Sequence, residues 1–257
     1  MPSDERACYL WLHPMLLPRH LSRADTHRIL KAIRRILVNH WLRFWMRHAG
    51  STCFGRIATR LATWFAPPYQ ARAYLSLLSP HGYIAPSAMI HHPNLRLGAN
   101  VFVGDHVIIY QAHPDAGAVE LGDRVRLHRE IIIEIGSGGS LTVGANTHIQ
   151  PRCQFSAYEA PIHIGHDVEI APYCAFYPYD HSFAPGKLIR LQPLKTKGGI
   201  SIEDDVWLGV GVIVLDGVRI GKGAVIGAGS VVTEDIPDGA IAVGVPARIV
   251  KMRTNLA

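Results

Sequence analysis

A six-residue phrase recurs along this chain from about residue 97, and it limits the possible folds more than any other feature. It reads aliphatic, small (usually Gly), two variable residues, a small or β-branched residue, then anything. It begins at Leu97, Val103, Leu121, Leu127, Val143, Ile149, Ile164, Ile170, Ile202, Leu208, Val214, Ile220 and Ile226. An amphipathic helix needs apolar residues three and four apart, and a half-buried strand needs strict alternation; a period of six satisfies neither. Each phrase therefore reads as a short strand plus a turn, with its aliphatic residue inward. The fifth residue also points inward and is small at a crowded corner, and the second-position glycines relieve the backbone where the chain bends. Three phrases close one triangular coil, as the 18-residue spacings from 103 to 121 and from 202 to 220 imply. Wider spacings, above all from 164 to 202, mark loops thrown out between coils. One coil cannot bury its own aliphatic side, so the stack is the smallest stable unit.

The first 80 residues are different. They hold 12 Lys and Arg against 3 Asp and Glu, a net of +9, while the remainder carries a net of −3. Residues 26–48 show helical spacing of Ile29, Ile33, Ile36, Leu37, Trp41, Phe44 and Trp45, with Arg28, Lys31, Arg35, Arg43 and Arg47 on another face. Asp25 is the expected N-cap and Gly50 the terminator. A second helix is expected over Phe54–Phe65, ending before Pro67-Pro68. Two readings of residues 26–48 stay open: helices packed on the repeat, or a peripheral anchor with its basic face toward anionic lipid. No nucleic-acid-binding motif accompanies the charge. No secretory signal or transmembrane span is read, and Cys8, Cys53, Cys153 and Cys174 form no CxxC pair. A reducing, cytoplasmic setting is expected. At 48% apolar and 18% charged, the chain has material for a core and is not of disordered type.

The repeat, and especially the run from Ile202 to Arg248 (IEDDVWLGVGVIVLDGVRIGKGAVIGAGSVVTEDIPDGAIAVGVPAR), resembles the hexapeptide-repeat acyltransferases. It is most similar to their maltose/galactoside O-acetyltransferase branch and its relatives in surface-polysaccharide synthesis. The resemblance implies a left-handed parallel β-helix, mainly β, over residues 81–251, preceded by a basic helical region over 1–80. It also implies a homotrimer with active sites shared between subunits, and acetyl-CoA as donor to a hydroxyl of a sugar or polysaccharide precursor. Members with another acyl donor or an amino acceptor are the alternative, as is a scaffold that has lost its chemistry.

The longest interruption, Tyr177–Gly199, places His181 where this branch carries its catalytic histidine. The chemistry needs such a group: a sugar hydroxyl attacks a thioester only as its proton is removed, and imidazole titrates near neutrality. The resemblance puts the cofactor on Trp207, Gly209, Val210, Ala228, Thr233, Arg248 and Lys251, with a Gly209 or Val210 amide toward the thioester oxygen. Val210 replaces a frequent small polar residue. Glu234 stands where a lysine is common and removes one phosphate partner. On the acceptor side Glu159 and Asp180 are the candidates. A zinc site is poorly supported, because His106, His128, His148, His163 and His166 occupy different positions of the phrase and no His-x₄-His pair occurs within the repeat. Cys153 and Cys174, both at fifth positions, read as core filling.

Overall fold

A computed structural model describes residues 23–50, 52–66 and 70–253. The chain divides into two compact units, residues 1–41 and 42–257, whereas the shift in charge and pattern falls near residue 80. The described part of the first unit is helix. Helix α1 spans Arg23–Arg47, so Asp25 lies in its first turn instead of capping it. Ile33, Ile36, Leu37 and Trp41 of α1 are exposed. No helix among the described residues is long and apolar enough to cross a membrane.

The second unit opens with the end of α1, where Leu42 and Met46 are buried. Helix α2 follows at Cys53–Ala62, and the Thr52 hydroxyl caps it by accepting from the Gly55 amide at 3.1 Å. It buries Gly55, Ala58, Thr59 and Ala62, a stripe of small residues at helical spacing, and leaves Phe54 and Ile57 outside. A single 3₁₀ turn, Thr63–Phe65, ends it. Arg56 ties α2 to the first coil by donating to the carbonyls of Pro86 and Ala88 at 2.6 and 3.2 Å. Pro67 and Pro68 lie outside the described residues.

From Tyr83 onward short strands stack into three parallel sheets, the faces of a prism. The first face begins with Tyr83–Ile84, Phe102–Val103 and Arg126–Leu127, and is closed at its far end by the antiparallel strand Arg248–Met252. The second runs from Met89–His91 through Ile108–Gln111, Ile132–Ile135, Gln154–Ala157, Ala175–Tyr177 and Ile213–Leu215 to Val231–Val232. The third runs from Leu95–Leu97 to Arg219–Ile220. The register stacks the expected inward residues: Val103, Leu127, Ile149, Ile170, Leu208 and Ile226 on the first face, and Leu97, Leu121, Val143, Ile164, Ile202 and Ile220 on the third. The second face adds Ile109, Ile133, Phe155, Phe176 and Val214, with Phe155 and Phe176 stacked at 4.5 Å and 3°. Fifth positions from Val101 to Ser230 are buried, including Cys153 and Cys174.

The glycines act differently from expectation. The left-handed residue of each phrase is the fourth: Asn100, His106, Arg124, Glu130, Asn146, Arg152, Asp167, Tyr173 and Asp205, then Gly211, Gly217, Gly223 and Gly229. Glycine at the second position serves close approach of coils. A Cβ on Gly144 would sit 2.5 Å from the Gly165 backbone, and one on Gly122 would sit 2.8 Å from the Ala145 nitrogen. Both distances are shorter than any van der Waals contact permits.

Candidate active site

The insertion leaves the stack at the corner between the second and third faces. Asp180–His181 pairs antiparallel with Leu194–Lys195, which makes a small hairpin with His181 opposite Leu194. His181 is exposed, and its ring lies edge-on to Tyr179 at 6.4 Å between centroids. Asp180 precedes it on the same strand, and Glu159 lies at the same corner one coil earlier, its amide bound to the Ser137 carbonyl. The structure thus gathers His181, Asp180 and Glu159 at one corner.

What holds the hairpin is Asp216, a buried carboxylate at the third position of its phrase. It accepts from the Thr196 hydroxyl at 2.9 Å, the Lys197 amide at 2.5 Å and the Gly199 amide at 3.3 Å. The returning leg of the loop is therefore fixed to the coil above, and through strand pairing so is His181. Removing the carboxylate leaves three donors unmatched, whereas Asn would keep one acceptor oxygen for the two donors that share Oδ1. Asp216→Ala is expected to lower turnover about tenfold, with acetyl-CoA binding unchanged and restoration toward normal by Asp216→Asn, read as kcat against donor KM.

Below the hairpin the second face carries side chains that the sequence reading did not single out. Tyr110, Glu134 and Ser156 are aligned by register, with Tyr177 next in the column. Tyr158 donates to Glu134 Oε1 at 2.6 Å, and Ser156 Oγ lies 3.5 Å from both Glu134 Oε2 and the Tyr179 hydroxyl. The rings of Tyr158 and Tyr177 meet Tyr179 at 5.4 and 6.3 Å. Burial, then the bond to Glu134, pushes the Tyr110 phenol up to about 12 and raises Tyr158 as well. These phenols are neutral donors at physiological pH. The signal in the sequence was the tyrosine density of SAYEA and YPYDH.

The expected cofactor residues fall in two further places. Gly209, Val210 and Ala228 form the corner between the first and second faces, where a Cβ on Gly209 would meet the Ala228 nitrogen at 2.6 Å. The Gly209 amide is not available to a thioester, because it donates to the Ile226 carbonyl at 2.8 Å. Among the described residues the amides of Val210 and Ala228 have no acceptor, and both residues are exposed. They are one coil apart, ~4.8 Å. Trp207 lies on the outside of the first face, 55% exposed.

Thr233, Glu234, Arg248 and Lys251 belong to the last coil and the closing strand. Arg248 and Lys251 lie on the closing strand, opposite Val243 and Ile241. Arg248 Nη1 is 3.6 Å from Glu234 Oε2, both well exposed. The acidic residue found in place of a lysine thus partly neutralises the expected phosphate anchor. Glu234→Gln is expected to tighten CoA binding about two- to threefold and Arg248→Ala to weaken it about three- to tenfold, as calorimetry at low and high salt would show.

The remaining histidines are scattered. His166 Nδ1 accepts from the Ala145 amide at 2.9 Å, and His148 faces Glu169 at 2.8 Å. His128 is half-buried, and burial, then His148 and Arg126, lowers its pKa. No group of three or more His, Cys, Asp or Glu among the described residues is placed to hold a metal. Cys153 and Cys174 are buried side by side; hydrogen bonding between them and burial push the Cys153 thiol up, which suits core filling.

Comparison with known proteins agrees with this architecture. The family described as bacterial transferase hexapeptide (six repeats) matches residues 199–234. A galactoside O-acetyltransferase of Lactococcus lactis subsp. lactis (strain IL1403) is 43% identical over 97 residues, covering 38% of this chain and 45% of that protein. A probable acetyltransferase of Mycobacterium tuberculosis (strain ATCC 25618 / H37Rv) is 32% identical over 212 residues, covering 77% of this chain and 61% of that one. The chain therefore spans about half the length of these curated relatives. Among solved structures, a hexapeptide-repeat acetyltransferase from Vibrio cholerae is 35% identical, with a TM-score of 0.42, covering 45% of this chain and 64% of that one. In its repeat, its three stacked faces and these matches the chain is similar to the bacterial hexapeptide-repeat transferases.

Proposed function

We propose that the chain transfers an acetyl group from acetyl-CoA to a hydroxyl of a sugar or polysaccharide precursor, with His181 as general base. The observation that carries this is an exposed imidazole on a hairpin clamped by Asp216, at the head of a wall of tyrosines and Glu134. The imidazole accepts the hydroxyl proton as the oxygen bonds to the thioester carbonyl. Negative charge developing on that carbonyl oxygen is met by the Val210 amide. Collapse of the tetrahedral intermediate expels the CoA thiolate, and the proton held on His181 passes to it. Arg248 and Lys251 hold the phosphates.

In one copy of the chain the base and the Val210 amide lie at opposite edges of the second face, more than ~10 Å apart. One copy cannot serve both at once. A cyclic trimer, in which His181 of one copy meets the Val210 corner of its neighbour, resolves this. The test is thiol release from acetyl-CoA across a panel of sugars, amino sugars and sugar nucleotides, with sedimentation of the active species. An active monomer would remove the shared site; no turnover with any acceptor would remove the reaction.

The exposed Ile33, Ile36, Leu37 and Trp41 of α1, beside Arg28, Lys31 and Arg35, support the peripheral anchor reading. The full chain is expected to co-sediment with anionic vesicles and to detach at high salt, whereas Trp41→Glu should abolish the association.

A further inference from the structure

We infer that the outward column of the second face is an extended acceptor subsite for a short neutral oligosaccharide, running from His181 down to Tyr110. The inference rests on the O-acetyl transfer proposed above and names the acceptor's size and charge. On the third face, the residue after the inward aliphatic is bare at Gly98, Gly122, Gly144 and Gly165, because a Cβ there would meet the backbone of the next coil. On the second face the corresponding residues are Tyr110, Glu134, Ser156 and Tyr177, following Ile109, Ile133, Phe155 and Phe176. Here the strands run four residues, Ile108–Gln111, Ile132–Ile135 and Gln154–Ala157, before the chain turns. Along this column Tyr110, Glu134 and Tyr177 are half-buried and keep part of their surface to solvent, while Ser156 is buried between them.

Tyr158 and Tyr179, two residues farther along the chain than Ser156 and Tyr177, join the same cluster through Glu134 and through ring contacts. The three inter-coil steps from Tyr110 to Tyr177 make a strip ~14 Å long, which exceeds one sugar ring. Ring faces stack on the apolar faces of pyranoses, while phenol hydroxyls and a carboxylate receive their hydroxyls. Glu134 has no cationic partner among the described residues and is held only by hydroxyls. Asp180 is answered across the hairpin by Lys195, so the uncompensated charge of the wall is Glu134, which disfavours an anionic group beside it.

The experiment uses the full chain with maltose-, cello- and chito-oligosaccharides and their methyl monosaccharides. Acetyl transfer is followed by thiol release, and binding by saturation-transfer NMR in the presence of CoA. In one series KM should fall about tenfold from one sugar to three and then level off. Tyr110→Ala and Glu134→Gln should return the trisaccharide to the monosaccharide value, with kcat and the KM for acetyl-CoA near normal; Tyr110→Phe, which keeps the ring, should do less. Transfer to a monosaccharide with no gain from length in any series would overturn the subsite and leave the reaction standing. Length-dependent binding that the variants abolish, without transfer to any sugar, would do the reverse. Absence of both binding and transfer overturns both. Variants that dissociate the assembly with acceptor KM unchanged would make the column a contact between copies and overturn the inference.

Discussion

His181→Ala is expected to lower kcat for acetyl transfer by about 10²–10⁴-fold, with the KM for acetyl-CoA within about twofold of normal. The side chain is exposed and contacts the edge of Tyr179 at 6.4 Å, so its removal opens no core cavity. The hairpin keeps its backbone pairing and its attachment to Asp216, neither of which uses the imidazole. What is lost is proton abstraction in the transition state. Arg248→Ala should give the opposite pattern, raising donor KM with little change in kcat. Near-normal turnover of His181→Ala would move the base elsewhere. His166 is then a poor replacement, since its Nδ1 already accepts from the Ala145 amide; Asp180 and Glu159 share the corner and would be tested next.

The sequence made two faces of the prism plain and hid the third. On the first and third faces the phrase starts with an aliphatic residue and often continues with glycine, because neighbouring coils come close at the following corner. On the second face only Val214 was legible as a start. Ile109, Ile133, Phe155 and Phe176 are equally inward and equally stacked, but the fifth positions of their phrases, His113, Ser137, Glu159 and Asp180, are not buried, because the chain leaves the stack at the next corner. The loops that obscure the repeat are those that border the candidate acceptor wall. His181 was legible from its distance after the Ile164 phrase, whereas its anchor Asp216 was not, because it lies 35 positions later and is joined to the loop only by folding. The Gly209 amide was likewise unreadable as spent: its acceptor, Ile226, belongs to the next coil. Period fixes which residues stack, but not which backbone donors the stack consumes.

Gly144→Ala and Gly211→Ala should differ in stability by about 2 kcal/mol or more, with Gly144→Ala the more harmful. At Gly144 the backbone is not in the left-handed region, so alanine suits its conformation. The added methyl, however, would lie 2.5 Å from the Gly165 carbonyl group and 2.7 Å from the His166 nitrogen. The coils cannot separate to admit it, since the Gly144 amide donates to the Ile164 carbonyl at 2.8 Å and the Ala145 amide to His166. Relief must break these bonds or shear the stack, at a cost of about 3 kcal/mol or more. Gly211 is the converse case, with φ of +70° and nothing within 4 Å of a Cβ. Alanine there meets only the left-handed penalty, ~1–2 kcal/mol, offset by ~0.4–1 kcal/mol from a stiffer unfolded chain. Nine residues with side chains already hold that conformation at fourth positions, Arg124 and Tyr173 among them. At ~2–4 °C per kcal/mol for a chain of this size, thermal midpoints should separate the variants by several degrees. The reverse order would mean that second-position glycine is needed for conformation and that the coils have more room than their spacing allows.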